Sequence, residues 1–461
     1  MLDKVLNAID SRKDKSLAML KEFLRIPSVS TKPDHKPDML RCANWLKDQL
    51  QRAKLHVQIM PTAGHPCVVA KNKHVAGRAT ILFYGHYDVQ PPEPLDLWQS
   101  LAFEPTVRSD EDGFDAVYAR GAVDDKGQVW CHVEAVKAWQ EAGGLPVNLT
   151  MLIEGEEEIG SENLAEFVKQ QKDLLKADLC LISDTDQFRR GLPAITYGLR
   201  GLVYEEVKIT GPDHDLHSGM YGGAVPNPAN VLCEILATLH KPDGSVNIPG
   251  FYDDVETIKP EEKQIWGKLP HDDQDYAKHL GLSALSGEAG FSTLERTWVR
   301  PTCDINGLSG GYQGPGAKTV IGSWASAKVS MRLVPKQDPA KIQAAFRKAI
   351  RDRAPKNVKV EFTLEGHNAL PVVVPIDNKA TELATEAVKI GFDKDPVLIR
   401  GGGTIPVVGL LKQVLGVDSL LVGFGLPNDR VHSPNEKFDL DALHKGTRTA
   451  AALYDRLAKL K

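Results

Sequence analysis

Ile81-Leu82-Phe83-Tyr84-Gly85-His86-Tyr87-Asp88-Val89 is the stretch that decides the fold. An apolar run of β-branched and aromatic residues that meets a glycine is the pattern of a buried strand entering a loop. It ends the strand at Gly85 and leaves an imidazole, His86, and a carboxylate, Asp88, in the loop. In open α/β sheets, chemistry gathers just beyond the carboxyl ends of such strands. One histidine there is as well explained by structural hydrogen bonding. The weight comes from recurrence of the layout.

The second copy is Val147-Asn148-Leu149-Thr150-Met151-Leu152-Ile153, which runs into Glu154-Gly155-Glu156-Glu157-Glu158-Ile159-Gly160. Ser161 then stands where an N-cap is expected, before a helix carrying Leu164, Phe167, Val168 and Leu175. The third is Ala177-Asp178-Leu179-Cys180-Leu181-Ile182-Ser183-Asp184. Between the first two lies Tyr118-Ala119-Arg120-Gly121-Ala122-Val123-Asp124-Asp125-Lys126-Gly127, ahead of a helix marked by Val129, Val133, Val136 and Trp139. Adjacent carboxylates at a helix start fit capping as well as ligation. Taken together, the strand ends deliver His86, Asp88, Glu157, Glu158 and Asp184, with Asp124 from the connecting turn. So many carboxylates in one crevice repel one another unless cations neutralise them. Histidine with carboxylates and no cysteine suits Zn²⁺ or Mn²⁺ and not a thiolate site.

At 461 residues the chain exceeds one ordinary core, so two or three domains are expected. Its net charge is only -5, and no basic block or aromatic-interleaved stripe occurs, which argues against nucleic acid and anionic membrane as partners. The charged opening from Met1 to Lys21 does not resemble a signal peptide, and no run approaches the ~18 apolar residues of a membrane span. Six cysteines without C-x-x-C spacing read as reduced thiols in a cytoplasmic protein.

Leu17, Leu20 and Leu24 predict an opening helix near 15–25, and Leu40, Ala43, Leu46 and Leu50 a second over Met39–Ala53. After Gly198 the character changes. Leu202–Thr210 alternates like a half-exposed strand, and Pro226 and Pro228 open a helix. After a polar stretch from Lys241 to about Glu295, Val320–Val334 and Val358–Leu364 alternate about a helix with Ile342, Phe346 and Ile350. This is the pattern of a second, smaller α+β domain inserted into the first. Helix and buried strand (Ser419–Val422) then return, and the loop Gly423–Pro434 carries His432. Gly311–Thr319 imitates a phosphate loop but has one residue too many before Lys318 and leads into a strand. Gly401-Gly402-Gly403-Thr404 could cradle a carboxylate, no G-x-S-x-G elbow occurs, and His132 and His444 fall on helices as packing or surface residues.

Gly85-His86-Tyr87-Asp88-Val89, Arg120-Gly121 with Asp124-Asp125-Lys126-Gly127, Glu154-Gly155 with Glu157-Glu158, and Asp184 resemble the di-metal core of the M20 metallopeptidases. Tyr197–Gly201, Asp215–Gly219, Arg300–Thr302, Lys318–Ile321, Arg332–Pro335 and His432-Ser433-Pro434-Asn435-Glu436 are similar to the dipeptidase branch that includes carnosinase-like and Cys-Gly dipeptidases. The resemblance implies an α/β catalytic domain, 1–198 and 374–461, with a central mixed sheet flanked by helices. The insertion, 199–373, would be a ferredoxin-like lid and dimerisation domain. Two divalent ions per subunit are implied, zinc first, with manganese or cobalt as alternatives. Asp124 would bridge them; His86 and Asp184 would complete one shell, Glu158 and His432 the other. Glu157 would be the general base, Asp88 would orient His86, and the peptide after Asp124 would be cis. His217, reached from the other subunit of a homodimer, would stabilise the oxyanion, while Thr319, Arg332, Gly403 and Thr404 would hold the substrate carboxylate.

The chain departs from that branch at Gly401, where a glutamate suited to a free α-ammonium is usual, and at Gly322, in place of proline. His367 lacks the glycine that usually follows it. The expected function is hydrolysis of dipeptides or short peptides. An N-acyl amino acid amidase or deacylase is the alternative within the family, and a non-catalytic metal-binding protein the alternative outside catalysis.

Overall fold

The computed structural model describes residues 1–363 and 368–461. His367, and Leu364 at the end of the expected Val358–Leu364 strand, lie outside the described residues. The chain divides into two compact units, Met1–Tyr197 with Val374–Ile399 and Leu410–Lys461, and Gly198–Val373 with Arg400–Gly409.

In the first unit the sheet runs, in spatial order, through His56–Met60, Cys67–Lys71, Asn148–Glu154, Thr80–His86, Leu179–Ile182, Ser419–Leu421 and Ala194–Leu199. The four strands from Asn148–Glu154 to Ser419–Leu421 are parallel neighbours, and the flanking pairs are antiparallel, so the sheet is mixed. Asn148–Glu154 and Leu179–Ile182 are buried along their whole length, as strands covered on both faces must be. The helix Lys126–Ala142 packs against Leu440–Leu457 and Leu2–Asp10, and Lys379–Phe392 packs on Leu440–Leu457. Trp130 and Trp139 are fully buried in that layer, and their indole N–H groups donate to Ser16 O (3.1 Å) and Ala451 O (3.0 Å).

Three local expectations are corrected. The first strand does not stop at Gly85 but runs to His86. A Cβ at Gly85 would lie 2.6 Å from Val129 Cγ2 and 2.8 Å from Asp125 Oδ2, so the glycine lets the strand pass close to the helix start. Ser161 caps nothing: its φ is +52°, and its hydroxyl donates to Glu154 Oε1 at 2.9 Å. The helix starts at Leu164, and a break at Gln171 separates Leu164–Gln170 from Lys172–Leu175. The helix expected near 15–25 is Lys13–Leu24, and a further helix, Leu2–Asp10, precedes it.

The second unit is built on an antiparallel sheet in the order Thr302–Gly310, Trp324–Leu333, Gly201–Thr210, Lys359–Phe362. With the helices Pro228–Ala237 and Pro339–Arg353 it has the β-α-β-β-α-β succession of a ferredoxin-like fold. Both helices start on proline behind a side-chain cap: Asn227 Oδ1 accepts from Ala229 N at 3.0 Å, and Asp338 Oδ1 from Ala340 N at 2.8 Å. Val203, Val207 and Ile209 project from alternate positions of Gly201–Thr210 into a core with Leu232, Ile235, Phe346 and Ile350. Gly311–Thr319 leads into the short strand Val320–Ile321, which pairs with Leu216–His217, so no helix follows to receive a phosphate.

Candidate metal centre

The four parallel strands converge on one place. Thr80–His86 delivers His86 and, just beyond, Asp88; Asn148–Glu154 leads to Glu157 and Glu158; Leu179–Ile182 leads to Asp184; and the loop after Ser419–Leu421 carries His432. Asp124 enters from the turn between the strand Asp115–Tyr118 and the helix Lys126–Ala142.

Two three-residue groups result, His86/Asp124/Asp184 and Asp124/Glu158/His432, in each of which the ligating atoms lie within 4.8 Å of one another. Asp124 belongs to both. Its Oδ1 lies 3.2 Å from His86 Nε2 and its Oδ2 lies 3.0 Å from His432 Nε2. His432 Nε2 is also 3.2 Å from Glu158 Oε2. His86 is fully buried, and among the described residues its Nε2 makes no hydrogen bond although a carboxylate oxygen is close by. A buried nitrogen without a partner, aimed among carboxylates, fits a divalent cation, and one histidine with two carboxylates per group suits zinc or manganese chemistry.

The electrostatics agree. Burial pushes the Glu157 carboxyl up to about 8 against the pull of His86, with Glu158, Asp124 and Asp88 adding to the rise. Burial also raises Asp184, helped by Asp125 and Asp124, and Glu158, helped by Asp124. Asp124 is held below the usual carboxylate range despite its burial, because the imidazoles of His432 and His86 stand against its two oxygens. In return Asp124 and Glu158 lift His432 to about 10, and His86 rises well above its usual value even though burial opposes it. The cluster has more negative than positive charge, and a cation is the remedy.

A second layer holds these groups. His86 Nδ1 lies 3.1 Å from the Asp88 carbonyl oxygen and 3.4 Å from its carboxylate Oδ1. The Asp88 carboxylate itself accepts the Glu157 N–H (3.3 Å) and the Glu158 N–H (3.1 Å), so it fixes the acidic turn as well as the ring. Gln90 escaped the sequence reading: its backbone N–H and side-chain amide donate to Glu158 Oε1 (3.1 Å) and Oε2 (2.7 Å). Asp125 sits at the helix start without capping it; Oδ2 accepts the His86 N–H at 3.1 Å, and Oδ1 has no partner among the described residues. The Asp124–Asp125 peptide is cis.

The other expected site residues belong to the second unit and fall into two neighbourhoods. His217 pairs with Val320, beside Thr319, whose carbonyl accepts the Ser218 N–H at 3.0 Å. His217 Nδ1 accepts from Gly219 N at 3.1 Å, which leaves Nε2 as the protonated nitrogen. Arg332 Nη1 donates to Thr404 Oγ1 (2.7 Å), which donates to Arg200 O (2.7 Å), and the Gly403 carbonyl accepts the Arg200 N–H at 3.1 Å. Burial, then the Arg332 charge beside it, pushes the Arg200 guanidinium down to about 10.

The model of "Peptidase family M20/M25/M40" matches residues 82–456. The Cys-Gly metallodipeptidase dug1 of Schizosaccharomyces pombe is 32% identical, over 100% of this chain and 99% of that protein. The Beta-Ala-His dipeptidase of Homo sapiens is 31% identical, over 100% of this chain and 93% of that protein. Among solved structures, human carnosine dipeptidase 1 superposes with a TM-score of 0.88 at 30% identity, covering 99% of each chain.

Proposed function

The chain belongs to peptidase family M20/M25/M40, and from that footing we propose that it is a di-metal dipeptidase that cleaves the peptide bond of dipeptides or short peptides. One observation carries the reading: the two oxygens of Asp124 turn to two different histidines, each within its own three-ligand group.

His86 and Asp184 would hold one ion, Glu158 and His432 the other, with Asp124 shared. Divalent ions held there would lower the pKa of a bound water and polarise the scissile carbonyl. Glu157 would accept the attacking water's proton on its carboxylate and give it to the leaving nitrogen. Its burial raises its proton affinity, which suits a group that must hold the proton between the two transfers. Zinc is the ion we assign, with manganese or cobalt as alternatives.

The second unit supplies substrate contacts on this reading. Burial lowers the pKa of Arg332, with only Asp304 opposing, and a guanidinium so placed suits a substrate carboxylate, with Thr319, Gly403 and Thr404 as partners. His217, with its Nε2–H free to donate, would meet the oxyanion from the partner subunit of a homodimer. The edge strand Thr302–Gly310 supports such a dimer, since it exposes Ile305 and Leu308 at an open sheet edge. Six free cysteines, five of them buried, support a reducing, cytoplasmic setting. Among the described residues no helix is long and apolar enough to cross a membrane.

Gly401 favours a second reading, an amidase of N-acyl amino acids, because no carboxylate stands at that position to meet a free α-ammonium. Hydrolysis of free dipeptides and of their N-acetylated counterparts, with Zn²⁺ or Mn²⁺ and with a chelator control, separates the two. Cleavage of free dipeptides that chelation abolishes is the expected result; cleavage of the blocked compounds alone moves the protein to the amidase reading.

A further inference from the structure

One carboxylate outside the ligand groups is built into both halves of the centre. Glu436 follows His432 on the same loop and is fully buried. Its Oε2 accepts from Arg120 Nη1 (2.7 Å) and Gly121 N (2.9 Å), and its Oε1 from Val123 N (3.0 Å) and Asp124 N (3.2 Å). Four donors occupy both oxygens, and they line the turn that ends at Asp124. The Glu436 carbonyl accepts the Ala119 N–H at 3.1 Å, and the next residues, Lys437–Asp439, pair antiparallel with Asp115–Tyr118. Arg120 is itself buried, and its Nη2 donates to Pro91 O at 3.3 Å.

The His432 loop does not take its shape from repeating structure. Arg430, His432 and Asn435 have φ of +56°, +59° and +63°, values that a side chain seldom adopts without outside support. Asn435 is tied by Leu97 O (2.8 Å) and Gln99 N (2.9 Å). Glu436 ties the same loop to the turn that presents Asp124.

We propose that Glu436 is a positioning residue that locks the Gly121–Asp124 turn to the His432 loop, so that the shared carboxylate and the second histidine keep one fixed spacing. The inference rests on the di-metal assignment above. A carboxylate suits position 436 because both of its oxygens accept. Glutamine has one acceptor oxygen, so its NH₂ would face two of the four donors. Aspartate keeps the charge but is one methylene short of spanning them.

The test is equilibrium Zn²⁺ binding by chelator competition, with bound metal counted per chain, on the wild type, Glu436→Gln, Glu436→Asp and Leu453→Ala. Leu453 is a core residue of the closing helix and serves as the control for lost stability. The wild type is expected to bind two ions. Glu436→Gln is expected to weaken binding by about 10–100-fold, the usual effect of removing a partner behind a metal ligand. Glu436→Asp is expected to do the same to a smaller degree, and it carries the comparison if the glutamine variant does not fold. At saturating metal, kcat of the variants falls while KM holds. Leu453→Ala should melt earlier and bind both ions as the wild type does. Unchanged affinities in the Glu436 variants overturn the inference and leave the di-metal reading standing, and so does an equal loss in Leu453→Ala. A wild type that takes up fewer than two ions removes the shared-ligand premise and the inference with it.

Discussion

On the proposed assignment Asp124 holds the ions and Glu157 does the reacting. If Glu157 moves the proton, Glu157→Gln should lower kcat by about 10²–10⁴-fold while the bound metal stays at the wild-type level. Steady-state kinetics beside metal analysis decides it, and a fully active glutamine variant would remove Glu157 from the role. Gln90→Ala should keep the same chemistry yet lower metal affinity by roughly 10-fold, since Glu158 loses its side-chain amide partner; titration with a competing chelator reads this. His86 and Asp184 were legible because each stands just past an apolar run, Ile81–Tyr84 and Leu179–Ile182, whereas Asp124, in a turn, and His432, in a loop, drew their roles from the family resemblance. Gln90 and Glu436 were not legible in their roles. An amide or a glutamate beside a strand end carries no signal of its own, and contacts such as Glu436 with Asp124 N arise only when distant segments meet.

Among the elements, the helix Lys126–Ala142 joins the site to the core. On it His132 is buried between Tyr454 Oη (2.9 Å from Nδ1) and Ser183 Oγ (2.8 Å from Nε2), and burial pushes its imidazole down to about 3. The unfolded chain, with a histidine near ~6.5, takes up a proton that the folded chain refuses. The contribution is therefore complete above about pH 6.5 and is lost as pH falls from there toward 3. His132→Asn should flatten the decline of the urea midpoint between about pH 6.5 and pH 4; an unchanged slope would assign the decline to other groups. The strand Thr302–Gly310 went unread because Asp304, Asn306 and Ser309 break its apolar pattern, while its partner Trp324–Leu333 was legible from alternation. Ser161 misled for a related reason: its hydroxyl suits a cap, but Glu154 claims it.

At the scale of the molecule, the two units have their own cores, and the change of pattern after Gly198 marked the second. That Arg400–Gly409 clusters with the second unit was not legible, because local pattern does not say which core a short segment joins. Ions bound only by the folded chain stabilise it by mass action, about 2.7 kcal/mol at a hundredfold excess over Kd. Chelation should therefore lower Tm by several degrees and Zn²⁺ or Mn²⁺ should restore it; a melting curve indifferent to both would count against resident ions. If the homodimer forms through the Thr302–Gly310 edge, Leu308→Lys should shift sedimentation from dimer to monomer. A dimer unmoved by the charge would place the interface elsewhere.

The side chain of His432 is 55% exposed, whereas His86 is shut away from water entirely. On the proposed assignment, two positions that share a carboxylate would then differ in how fast they trade with their surroundings. On the proposed assignment the ion on the His86 side is a resident and the one on the His432 side a visitor. A pulse of a second metal should replace one ion within the time that the other stays put.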